Sequence, residues 1–99
     1  MVDIGGVRLS GRMICATKAE ADAVRQHLDA HIERTRAEPG CLLFEITPLG
    51  GGHAWSVEEL WTDAPTFREH QRRAADSEWG RATAGIERRY RVEGLTPED

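Results

Sequence analysis

The side chains best suited to chemistry in this 99-residue chain are a few carboxylates and histidines, several of them set beside aromatic residues. Glu59 stands two residues before Trp61 in Glu59-Leu60-Trp61. On a strand the two would share a side, where burial would raise the carboxyl pKa far enough for Glu59 to act as a general base. A salt bridge or strand hydrogen bond to an arginine is the other use of the same residue. His70, one helical turn beyond Phe67 in Phe67-Arg68-Glu69-His70, offers an imidazole that is neutral near pH 7 and can take a phenol proton, or else caps or packs. Glu45, inside the apolar stretch Cys41 to Ile46, poses the same choice, with Arg12 as its candidate counter-ion. His27 and His31 have the spacing of the first two ligands of many zinc sites, but no third ligand is convincingly placed. No metal is therefore expected, and the pair reads as solvated or at an interface. Gly50-Gly51-Gly52 lacks the following Lys-Ser/Thr and helix of a phosphate loop.

These groups need elements to hold them. Val7, Leu9, Gly11, Met13 and Cys15 alternate with Arg8, Ser10 and Arg12, the period-two pattern of a half-buried strand. Thr17-Lys18-Ala19-Glu20 is a capping box, after which Ala21, Val24, Leu28, Ile32 and Thr35 form one apolar helical stripe. Pro39 disfavours helical geometry at Glu38 and Gly40 can take a left-handed turn, so the helix ends by about residue 37. Strands follow at 41–47 and 54–61, joined through Gly50-Gly52. Asp63-Ala64-Pro65 starts a second helix, with Phe67, His70 or Gln71, and Ala74 on one side. Asp76-Ser77 breaks it, and a shorter piece follows on which Trp79, Ala82 and Ile86 share a face. A last strand over 88–94 carries Tyr90 and Val92. The order β-α-β-β-α-β is the α+β, ferredoxin-like arrangement: an antiparallel sheet with both helices on one face.

The totals describe one globular domain with its core in 7–94 and flexible ends at 1–6 and 95–99. A net charge of −4 argues against a nucleic-acid or anionic-membrane footprint. No apolar run reaches the ~18 residues of a membrane span and no signal-peptide pattern opens the chain, so a cytoplasmic location is expected. Cys15 and Cys41 fit neither a disulfide framework nor a zinc spacing and read as buried free thiols.

Two helices cover only one side of a four-stranded sheet, and the other side does not read as polar. Trp55, Val57, Glu59 and Trp61 point one way and Ala54, Ser56, Glu58 and Leu60 the other, while the second strand sets Leu42, Phe44 and Ile46 against Leu43. Two exposed tryptophans would forfeit several kcal/mol at ~25 cal/mol per Å². The expectation is a homodimer in which a second copy of the sheet covers the indoles, with a pocket left between sheet and helices.

The segments HIERTRAEPGCLLFEI (31–46) and VEELWTDAPTFREHQ (57–71) resemble the antibiotic biosynthesis monooxygenase domains of the dimeric α+β barrel superfamily. The shared pattern is R-x-E-P-G-C with a following aromatic, then E-x-W and F-x-x-H, and the likeness spans about residues 8–93. It implies a homodimer that oxygenates a phenolic or hydroquinone metabolite with O2 and needs no metal or flavin, or else a non-catalytic binding module of the same fold. Trp61 is similar to the tryptophan that walls the pocket of the family's aromatic-polyketide oxygenases. Arg81 falls where those enzymes carry a substrate-facing arginine, provided the second helix aligns without gaps. Phe67 and Val57 depart from their tyrosine and asparagine, which tells against that particular reaction. The family's haem-degrading branch needs an asparagine on strand one, and none is present. The site implied is His70 or Glu59 as proton acceptor and Arg81 as anion stabiliser, walled by Trp61, Phe67, Val57, Phe44 and Trp79.

Overall fold

The computed structural model describes residues 6–95; most of the ends expected to be flexible lie outside the described residues. Strand β1 (Val7–Ile14) leads into helix α1 (Lys18–Arg36), strands β2 (Cys41–Pro48) and β3 (Ala54–Trp61), helices α2 (Ala64–Ala75) and α3 (Glu78–Ala82), and strand β4 (Glu87–Glu93). The strands form one antiparallel sheet in the order β2-β3-β1-β4, the ferredoxin-like order that the alternation of elements implied. The caps are those read from the sequence. Thr17 accepts from the Glu20 backbone N–H, Asp63 from that of Thr66 and Ser77 from that of Gly80, so each helix starts where a side chain satisfies an orphan donor. Gly40 turns the corner after α1 at φ 84°, and a Cβ there would strike the Thr66 side chain at 2.5 Å. That close approach seats the start of α2 against the end of α1.

The sheet faces differ from the expectation in one decisive way. Trp55, Val57, Glu59 and Trp61 do share a side, but it is the side the helices cover, and both indoles are buried within the single chain. Register is the reason: these residues align with Val7, Leu9 and Met13 of β1, which belong to the same buried core as Ala21 and Val24 of α1. Tryptophan burial therefore demands no second copy. The outer face carries Ala54, Ser56, Glu58 and Leu60, all half-buried, with exposed Arg8 bridged to Glu58 at 3.0 Å. Glu45 also lies on that face, exposed, opposite Glu58 and with no ion pair to Arg12 among the described residues. A bulge between Cys41 and Leu43 leaves Leu42 half in water. In α3 the buried face is Trp79, Thr83 and Ile86 rather than Trp79, Ala82 and Ile86, because the helix stops at Ala82 and Thr83 turns in to donate its hydroxyl to the Trp79 carbonyl at 2.6 Å. Cys15 is buried and Cys41 half-buried, both as free thiols.

Candidate active site

Between the inner face of the sheet and the helices lies a cavity of ≈ 380 Å³. Phe44 and Ile46 of β2, Val57 and Glu59 of β3, His70 of α2 and Trp79 of α3 all reach it. Its centre is a stack of rings. His31 lies flat on Trp79 with centroids 4.4 Å apart, His70 lies on Trp61 at 4.7 Å, and the edge of Phe44 meets both imidazoles at about 5.5 Å. Each histidine is thus fixed by an aromatic partner on a different element.

His70 is held at one nitrogen and open at the other. Its Nδ1 lies 3.2 Å from Glu38 Oε1, and Glu38 is itself paired with Arg73 at 2.9 Å. A carboxylate only accepts, so Nδ1 carries the hydrogen and donates it, and Nε2 keeps a lone pair. Nε2 lies 4.0 Å from Glu59 Oε1, too far for a direct hydrogen bond. One oxygen of a bound hydroxyl can sit within bonding distance of both.

Burial sets the protonation states. Glu59 is nearly sealed from water, and loss of hydration pushes its carboxyl up to about 7, with the Trp61 indole N–H at 3.0 Å pulling down and the Glu38 charge pushing up further. Burial also lowers the pKa of His70, a trend that the charge and hydrogen bond of Glu38 oppose and Arg73 reinforces. His31 is driven down to about 3, by desolvation first and then by the nearby cationic form of His70. Both imidazoles are therefore neutral at pH 7, while Glu59 is close to half-protonated.

The family model described as antibiotic biosynthesis monooxygenase matches residues 11–81. The chain belongs to that family. Three solved structures illustrate the shared fold. SnoaB, a cofactor-independent oxygenase from Streptomyces nogalater, is 16% identical with a TM-score of 0.66, over 93% of this chain and 94% of that one. Rv0793 from Mycobacterium tuberculosis is 23% identical at 0.68, over 95% and 96%. MupZ from Pseudomonas fluorescens is 20% identical at 0.73, over 93% and 70%. No curated protein matches the sequence. Family membership supports a monooxygenase role in general terms.

Two family motifs meet in space at this site: Glu38 of R-x-E-P-G-C bonds His70 of F-x-x-H across 32 residues of chain. Of the residues the sequence singled out, His70, Glu59, Phe44, Val57 and Trp79 line the cavity. Trp61 stands behind it, fully buried, holding His70 by stacking and Glu59 by its N–H. Phe67 is buried in the core beside it without reaching the cavity. Arg81 is exposed, donates to the Asp76 carbonyl at 2.8 Å and stands outside the cavity; α3 ends one residue later, so its face does not continue α2 without a break. His31 departs from the solvated role expected for it, because α1 turns it inward onto Trp79 while His27 is half-buried elsewhere on the helix. No cluster of three metal-ligating side chains occurs among the described residues. Glu38, Arg88 and Tyr90 were not read as site residues. Glu38 had a signal, its place in the R-x-E-P-G-C motif; the two β4 residues had only their inward parity.

Proposed function

We propose that this family member is a cofactor-independent monooxygenase acting on a small phenol or hydroquinone. The observation that carries the reading is a neutral imidazole, oriented by Glu38, whose free Nε2 faces Glu59 at the wall of an aromatic cavity. A substrate hydroxyl placed between His70 and Glu59 gives its proton to Nε2. The phenolate passes one electron to O2, and the resulting superoxide joins a hydrogen-bearing ring carbon ortho or para to the phenolate oxygen. The hydroperoxide then loses its ring hydrogen as a proton while the O–O bond breaks, so that phenol plus O2 becomes quinone plus water. No external reductant enters the balance. Protonated Glu59 supplies the proton that the departing oxygen needs, and it is recharged by the proton on His70. Apolar walls from Phe44, Ile46, Val57 and Trp79 hold the ring and keep bulk water from the radical pair.

A second copy of the chain packs on the outer face of the sheet. Half-buried Leu43, Ala54 and Leu60 lie there, with the acids Glu45 and Glu58 on the β2-β3 half and the bases Arg12, Arg89 and Arg91 on the β1-β4 half. A two-fold axis along the strands lays each acidic half on the partner's basic half. The two free thiols suit a reducing, cytoplasmic setting. Among the described residues no helix is long and apolar enough to cross a membrane.

Oxygen uptake with a panel of naphthols and naphthohydroquinones tests the reading. Turnover that survives a chelator and is lost in His70→Ala supports it. Saturable binding of the same compounds with no oxygen consumed would leave a ligand-binding module and refute the enzyme.

A further inference from the structure

The cavity has a second polar end that this chemistry leaves unused. Arg88 and Tyr90 of β4 both line it. They sit opposite Met13 and Gly11 of β1, on the inward parity, with Arg89 and Arg91 turned outward. Glu59 lies two strands away, in the row of Leu9 and Val92, so Tyr90 is one side-chain step and Arg88 two steps further along the sheet. Two strand spacings alone separate the ends by ~10 Å. The ends also differ in exposure: Glu59 and His70 are nearly sealed, whereas Arg88 is an exposed residue and marks the mouth.

The guanidinium of Arg88 is already gripped along one edge. Its Nη1 donates to the carbonyls of Thr83 at 2.8 Å and Ile86 at 3.1 Å, and its Nη2 to the Thr83 hydroxyl at 2.9 Å. Those bonds pin the cation to the turn between α3 and β4. They leave the Nε–H and the second Nη2–H, the side edge of the fork, clear of that turn, with the Tyr90 hydroxyl as the neighbouring acceptor. Two parallel donors on a fixed plane match the two oxygens of a carboxylate. The cation also pulls the Tyr90 hydroxyl down against the upward push of burial, which places that phenol within its influence. At the other end Glu38 and Glu59 would repel an anion.

We infer that the substrate is an aromatic acid: a fused-ring phenol whose carboxylate is held at the cavity mouth by Arg88 and Tyr90 while its phenolic hydroxyl reaches His70 and Glu59. This rests on the function proposed above for the same cavity, and it adds the charge and length of the ligand.

Calorimetric binding of 6-hydroxy-2-naphthoic acid and 2-naphthol to the intact protein at pH 7.5 tests the inference, since the two share ring and hydroxyl and differ in the carboxylate. The expected result is at least tenfold tighter binding of the acid. That preference, read as the ratio of the two affinities within one variant, should vanish in Arg88→Gln and survive in part in Arg88→Lys. Circular dichroism shows whether each variant folds, and if Arg88→Gln does not, Tyr90→Phe is expected to weaken the acid alone. Equal affinity of wild type for the two compounds overturns the inference, as does a preference that persists in folded Arg88→Gln. Because binding needs no turnover, the two readings fail separately. Oxygen uptake with 2-naphthol and no preference for the acid leaves the enzyme and removes this inference; a preference for the acid without oxygen uptake does the opposite.

Discussion

Replacing Glu59 by Gln should change how the stability of the protein depends on pH, and the size of the change follows from the site. The carboxyl is 6% exposed, accepts one hydrogen bond from Trp61 at 3.0 Å, and has its pKa raised by burial from 4.5 to about 7. Between those values the folded protein holds a proton that the unfolded chain has released. Stability is therefore lost as pH rises through the window, and the loss is complete above about 7. At about 1.4 kcal/mol per pH unit the full effect is about 3 kcal/mol. Glutamine keeps an acceptor for the Trp61 indole and has nothing to titrate. Urea unfolding followed by tryptophan fluorescence, at one protein concentration and at several values from pH 4.5 to 8.5, gives the free energy of both proteins. Subtracting the variant from wild type removes the histidine contributions they share. The difference should fall by about 3 kcal/mol as pH rises from 4.5 to about 7 and level off above that. A difference that stays flat would mean that Glu59 is ionised throughout or solvated in the native state, and the half-protonated acid at the wall of the cavity would be gone with it.

Further perturbations reach the rest of the site. Glu38→Gln removes the charge that supports the Nδ1–H tautomer of His70, so kcat on an accepted phenol should fall by ~10²-fold or more while binding of the same phenol barely changes. The acid limb of its rate profile should also move to lower pH, since Glu38 raises the His70 pKa. His31 is neutral down to about 3 in the fold and protonates near 6.5 once unfolded, so it contributes stability that is lost as pH falls through that range; His31→Phe, which keeps a ring on Trp79, should unfold at lower pH than wild type. Gly11→Ala should abolish stable folding in a thermal melt, because φ is 153° and the added Cβ would lie 2.1 Å from the Arg89 carbonyl. Arg89→Glu with Arg91→Glu should convert a sedimenting dimer to a folded monomer; a dimer that survives both would refute the sheet-face assembly proposed for it.

Local chemistry made the elements readable. Thr17, Asp63 and Ser77 cap where a hydroxyl or carboxylate precedes an apolar repeat, and Pro39-Gly40 ends α1 because neither residue suits a helix interior there. Which sheet face the helices cover was not readable in the same way. Alternation divides β3 into a tryptophan set and a Leu60 set, but parity names neither as inner. The choice is made by the pairing of β3 with β1 and by the packing of α1 against the neighbouring strand β2, which bring together segments far apart in the chain. A large aromatic set on one parity is thus evidence for burial but not for burial by a partner.

The site was half legible for a related reason. His70 and Glu59 announce themselves by type and by neighbouring aromatics, whereas Arg81 rests only on a gap-free match to the family's arginine, and its side chain turns instead to the Asp76 carbonyl. Glu38 was read for what it does to the backbone before Pro39, yet the same corner aims its carboxylate at an imidazole 32 residues away. The turn that ends α1 and the contact that orients the base are one piece of structure: Gly40 can approach Thr66 only because it has no side chain, and that approach brings the first turns of α2, with His70 on its buried face, over Glu38. A side chain at position 40 should therefore cost activity through the Glu38–His70 distance before it costs the fold. In Gly40→Ala the His70 imidazole should titrate at a lower pH by NMR than in wild type, because it would lose part of the stabilising Glu38 charge, and an unchanged titration would separate the corner from the chemistry.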